Sequence, residues 1–143
     1  MHWSTDYIGL PFADRGRSRA GVDCWGLLRL VYAELLGLDL PSYTEGYASV
    51  AERAEVAALL SSERRTATWA EVPATSADPF DVLLFTHMGK PLHVGLVVRR
   101  GLMLHVTEGQ DSRLEPYGDG WWRPRLLAVH RHGHFAMGAG AAA

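Results

Sequence analysis

The chain has 143 residues, 48% of them hydrophobic and 21% charged, with a formal net charge of −2. That is the length and apolar content of one globular domain with its own core. The balance of charge excludes a broad basic surface, so nucleic acid is not an expected partner. A single cysteine excludes a disulfide scaffold. The start, Met1-His2-Trp3-Ser4, lacks the basic and apolar regions of a signal peptide. No apolar run approaches the roughly 20 residues that membrane insertion requires.

Residues 1–23 read as irregular: apolar Tyr7-Ile8-Gly9-Leu10-Pro11-Phe12, then a polar loop with Arg15, Arg17 and Arg19. That loop is expected to be solvated. A first helix is expected from Asp23 or Cys24 to Leu36. Leu27, Leu28, Val31, Leu35 and Leu36 recur at helical spacing, Asp23 suits the N-cap, and Gly37 suits the position just past the last turn. A connector with Pro41 and Gly46 leads to a second helix. Ser49 with Glu52 forms a capping-box signature there, and Val50, Ala54, Ala57, Ala58 and Leu60 give it an apolar side.

After Trp69 the pattern changes to short β-type runs: Phe80–Phe85, Leu92–Val98, Leu102–Val106 and Arg125–Arg131, with turns at His87–Pro91 and Arg99–Gly101. Residues 107–124 read as a loop, with Trp121-Trp122 divided between core packing and recognition. His130, His132 and His134 alternate, but no thiol or carboxylate pattern accompanies them, so no metal site is expected. The order of elements implies an α+β domain over residues 1–133, helices packed on a small antiparallel sheet, with a flexible tail at 134–143.

Cys24 stands at the start of the first helix. There the helix dipole and free backbone N–H groups favour a thiolate, and an imidazolium nearby favours it further. A lone cysteine is also a common buried core residue. His93 lies in the strongest strand and His105 twelve residues on, with an Arg-Arg-Gly turn about midway. In a hairpin this spacing brings both near one end of adjacent strands. Cys24 as nucleophile, His93 as base and His105 as the polar group orienting the base would make a cysteine hydrolase.

These residues carry a family resemblance. Gly21-Val22-Asp23-Cys24-Trp25-Gly26-Leu27 resembles the nucleophile box of the NlpC-type cell-wall cysteine peptidases, a compact branch of the papain-like fold. Asp78-Pro79-Phe80-Asp81-Val82-Leu83-Leu84-Phe85 resembles the family's Pro-Gly-Asp strand, with Phe80 where glycine is usual. His93-Val94-Gly95-Leu96-Val97 and Leu104-His105-Val106 resemble its two histidine strands. The resemblance implies hydrolysis of amide bonds in peptidoglycan stem peptides, often between D-glutamate and a diamino acid, without metal or organic cofactor. It gives Cys24 the role of nucleophile, His93 that of general base, His105 that of orienting residue, and Asp23 that of a partner for the stem peptide's free amine. Two positions depart from the bacterial cell-wall enzymes: Trp25 replaces a serine, and Phe12 a tyrosine at the substrate site. The Cys-Trp-Gly box is similar instead to the subgroup carried in phage tails and gene transfer agents. That implies synthesis in the cytoplasm, tail-tip or hub proteins as partners, and local opening of the wall for DNA delivery. Two other expectations stay open: a structural tail component with weak or no activity, and a papain-like amidase or acyltransferase on another substrate.

Overall fold

The computed structural model describes residues 2–40, 69–87 and 90–135. The connector at Pro41 and Gly46, the second helix expected from Ser49, and the tail beyond Phe135 lie outside them. The first helix follows the sequence closely. Helix α1 spans Cys24–Val31 and continues through Tyr32–Leu36 as a wider, π-type turn. Asp23 is its N-cap, its Oδ1 accepting from the Gly26 N–H at 2.7 Å. Gly37 ends it in the left-handed region at φ 66°, a conformation that glycine adopts without a Cβ penalty.

Two short strands, β1 (Arg17–Ser18) and β2 (Gly21–Val22), form a hairpin in front of the helix. The expected solvated arginine loop stays largely at the surface, with Arg15 and Arg19 exposed and Arg17 half-buried, and Arg17 and Arg19 are each ion-paired. Arg17 Nη1 donates to Asp23 Oδ1 at 2.8 Å, and Arg19 pairs with Glu34 at 2.6 Å while its guanidinium lies 4.8 Å over the Tyr7 ring.

The main sheet has six strands: β3 (Trp69–Val72), β4 (Val82–His87), β5 (Lys90–Arg99), β6 (Leu102–His105), β7 (Arg113–Pro116) and β8 (Leu126–His132). Their spatial order is β3-β8-β4-β5-β6-β7, antiparallel throughout. The expected meander is present as β4-β5-β6, and β7 extends it from within the segment read as loop. The last strand does not follow on from it. It returns to lie between β3 and β4, so the chain's late residues pair with its centre.

Strand alternation divides the interior into two layers. Val82, Leu84, Val94, Leu96, Val98, Leu104 and Val106 pack with Trp25, Leu27, Leu28, Val31 and Tyr32 of the helix. Leu83, Phe85, Val97, Met103, Tyr117, Trp122 and Val129 fill the opposite face. This is the α+β layout of helix on antiparallel sheet. No helix among the described residues is long and apolar enough to cross a membrane.

Two further features tie distant segments together. Buried Ser112 donates from Oγ to the Tyr7 carbonyl at 2.5 Å and accepts from the Leu10 N–H at 2.9 Å. Its backbone also bonds Gly9 and Leu10. Phe80 adopts φ 74°, the left-handed region, which explains why glycine suits this position. Its ring stacks between Trp3 at 4.6 Å and Phe135 at 5.6 Å, and its carbonyl accepts from Tyr32 Oη.

Candidate active site

The strand register decides where the histidines go. His93, Gly95 and Val97 share one side of β5, and Met103 and His105 share the matching side of β6. Val97 and Met103 belong to the layer away from α1, so both imidazoles project to that side. Cys24 belongs to the helix layer. The two sides meet at a cavity of about 380 Å³, which Cys24 and His93 both line, with Val106 and Thr107 just past the end of β6. Phe12, Glu108, Arg113, Glu115, Trp121 and Trp122 complete its wall.

His93 and His105 are joined directly. His93 Nε2 lies 3.0 Å from His105 Nδ1, and both side chains are buried. Gly95 lies between them in the strand layer, beside Met103. A Cβ there would stand 2.8 Å from Met103 Sδ and 3.6 Å from His105 Cβ. Beyond His105 the chain of contacts continues: its Nε2 lies 2.8 Å from Glu115 Oε1, and Arg113 Nη2 lies 3.4 Å from the same oxygen. Arg113 is directly opposite His105 in the β6–β7 pairing.

Burial and charge set the protonation of this row. Burial pushes the His105 imidazole down to about 4, aided by the Arg113 charge and opposed by Glu115. It is neutral at pH 7. Burial pushes the Glu115 carboxyl up, but Trp122, His105 and Arg113 outweigh it and hold the group below its ordinary value. The Trp122 Nε1–H makes no hydrogen bond of good geometry, yet stands near enough to this carboxylate to favour its charge.

Trp122 covers the row. Its ring stacks on His93 at 5.1 Å and meets His105 edge-on at 5.1 Å. Trp121 does the opposite: it is 64% exposed at the cavity, with the Arg125 guanidinium 3.3 Å from its ring centroid. The adjacent tryptophans thus divide the two expected roles between packing and surface.

Of the residues singled out in the sequence, Cys24, His93 and Phe12 line the cavity, and His105 stands directly behind His93. Asp23 is buried, its Oδ1 engaged by Gly26 and Arg17. Trp25 is buried in the helix core and does not line the cavity. Among the alternating histidines, His132 packs edge-on against Trp69 and Tyr32, and His130 is buried and does not line the cavity. Among the described residues no group of three or more His, Cys, Asp or Glu side chains could hold a metal ion. Glu115 and Arg113 escaped sequence reading because their strand lies within a run of turn-forming residues. The one available signal was Arg113-Leu114-Glu115, a brief alternation of charged and apolar residues.

The sequence pattern of the NlpC/P60 family matches residues 9–131. A gamma-DL-glutamyl hydrolase of Bacillus subtilis is 23% identical over 128 residues, which make up 87% of this chain and 27% of that relative. The NlpC/P60 domain of the peptidoglycan hydrolase SagA has a TM-score of 0.59 and 23% identity, covering 88% of this chain and 90% of that one. An NlpC/P60 family protein from Bacillus cereus has a TM-score of 0.68 at 18% identity, covering 90% of this chain and 37% of its own. These likenesses establish the fold. With a family pattern that runs from Gly9 to Arg131, through the helix of Cys24 and both histidine strands, the chain belongs to the NlpC/P60 family.

Proposed function

We propose that the protein is a cysteine endopeptidase that hydrolyses amide bonds in peptidoglycan stem peptides. The observation that carries this reading is the shared cavity: Cys24 at the start of α1 and His93 on β5 line it together, and His105 holds His93 from behind. Family membership and the named hydrolases among the relatives support the substrate class.

In this mechanism His93 takes the Cys24 proton and the thiolate attacks the amide carbonyl carbon. The positive end of α1 favours the anionic sulfur. As the tetrahedral adduct collapses, the C–N bond breaks and His93 gives the proton to the leaving amine. Water, losing a proton to His93, then adds to the thioester and releases the free acid and Cys24. His105 Nδ1 accepts from His93 Nε2–H throughout, which leaves Nδ1 of His93 to exchange the proton. Phe12 acts as an apolar wall for the substrate. Asp23 and Trp25 act from behind the wall, by capping and packing the helix start.

The setting we assign is a phage or phage-like tail tip. The Cys24-Trp25-Gly26 box supports it through its similarity to tail-borne peptidases. The protein is then made in the cytoplasm and built into the particle beside hub proteins. Purified muropeptides test the chemistry: cleavage that yields a new amine and acid, abolished in Cys24→Ala, is expected, and intact muropeptides would sink it. Particles carrying Cys24→Ala test the setting. Normal assembly with loss of entry into walled cells is expected, and unchanged DNA delivery would argue against it.

A further inference from the structure

We propose that Glu115 is a positioning residue that fixes the tautomer of both histidines and so selects which nitrogen of His93 faces the thiol. The inference rests on the reading of Cys24 and His93 as the reacting pair. It extends the row by one residue that neither the nucleophile box nor the histidine strands contain.

The argument follows the protons. Glu115 is an ionised carboxylate and can only accept, so the His105 Nε2 that lies 2.8 Å away must carry the hydrogen. A neutral His105 has only one N–H, so its Nδ1 is an acceptor. The 3.0 Å contact then requires the hydrogen on His93 Nε2. The remaining lone pair of a neutral His93 sits on Nδ1. One carboxylate thus sets four nitrogen positions through two buried rings. Arg113 stands 3.4 Å from the same carboxylate oxygen and opposes protonation of either acid or ring. Trp122 lies against both imidazoles and keeps water from offering competing bonds. Without Glu115, His105 can place its single hydrogen on either nitrogen. The Nδ1–H form turns a donor toward His93 and breaks the link.

The test uses the full chain in three forms: native, Glu115→Gln and Glu115→Leu. ¹H–¹⁵N correlation of the ring nitrogens reads the tautomer directly. The native protein is expected to show His105 and His93 both as Nε2–H. Glu115→Gln, whose amide oxygen still accepts, keeps that pattern. Glu115→Leu shows a mixture at His105. In parallel, kcat on a muropeptide falls about tenfold to a hundredfold in Glu115→Leu with KM little changed, and less in Glu115→Gln, as loss of one charge-assisted bond predicts. An unchanged His105 tautomer in folded Glu115→Leu overturns the proposal. So does an equal kcat loss in both variants, which would mark a purely structural role. If the native chain cleaves no muropeptide, the peptidase reading fails, while the ring-nitrogen spectra still decide whether Glu115 sets the tautomers.

Discussion

His93 and His105 are linked ring to ring, Nε2 to Nδ1 at 3.0 Å, inside the fold. The link makes the two histidines unequal. His93 lines the cavity, and His105 acts through it. Replacing His93 by Ala is expected to lower kcat by roughly 10²–10⁴-fold, the range for loss of a general base. His105→Leu should lose less, and His105→Asn less again, because the Asn oxygen can still accept from His93. Steady-state kinetics on one defined stem peptide rank the three, and an equal loss in His105→Asn and His105→Leu would count against an accepting role.

The buried, neutral state of His105 gives folding a pH dependence of definite sign. Its folded value is about 4 against an ordinary 6.5. Between these pH values the unfolded chain takes up a proton that the folded chain refuses. Stability is therefore full above about pH 6.5 and falls as pH drops toward 4, by an amount on the order of 3 kcal/mol from this group. His130 and His132, also lowered by burial, add to the same slope. Urea unfolding at pH 4.5 and 7.5 checks this, and His105→Gln is expected to show a visibly smaller difference between the two.

At position 80 the usual ranking of Ala above Gly should reverse. Phe80 sits at φ 74°, where a Cβ costs roughly 1–2 kcal/mol. Its ring compensates by stacking between Trp3 and Phe135. Phe80→Gly loses the stack and relieves the backbone. Phe80→Ala loses the stack and keeps the strain. Thermal melting should place the Gly variant below the native protein and the Ala variant lower still, by about 1 kcal/mol.

Gly26→Ala should damage the protein far more than Gly95→Ala. A Cβ on Gly26 would lie 2.0 Å from the Gly16 carbonyl oxygen and 3.1 Å from Asp23 Oδ1, so backbone and helix cap must both move. A Cβ on Gly95 meets a methionine sulfur, which can swing aside. Loss of the Asp23 cap alone is worth ~1 kcal/mol, and the backbone clash adds to it. Chemical denaturation of the two variants gives the comparison, and equal midpoints would refute it.

The sequence was most legible where local rules and tertiary contacts agree. Asp23 and Gly37 mark the helix ends by their own chemistry, and the alternation of Leu92–Val98 needs only one buried face on each side. The histidine pair was legible because its spacing matches a hairpin. The inserted position of β8 was not, since nothing local in Leu126–His132 says which strands flank it. Glu115 was hidden for the same reason: its partner His105 is chosen by strand register. The arginine loop is exposed as its polarity suggests, but the ion pairs of Arg17 and Arg19 were not legible because their partners, Asp23 and Glu34, lie across a turn and a helix.

The clasp at Ser112 bears on how the cleft comes into being. It joins residues 102 positions apart in the chain, Leu10 to Ser112, just before the strand that carries Arg113 and Glu115. Such long-range closure is slow compared with forming a helix or a hairpin. The reactive centre is therefore expected to be among the last parts of the molecule to mature, and a chain that has folded only its helix and central strands would hold its thiol and imidazoles without a finished wall around them.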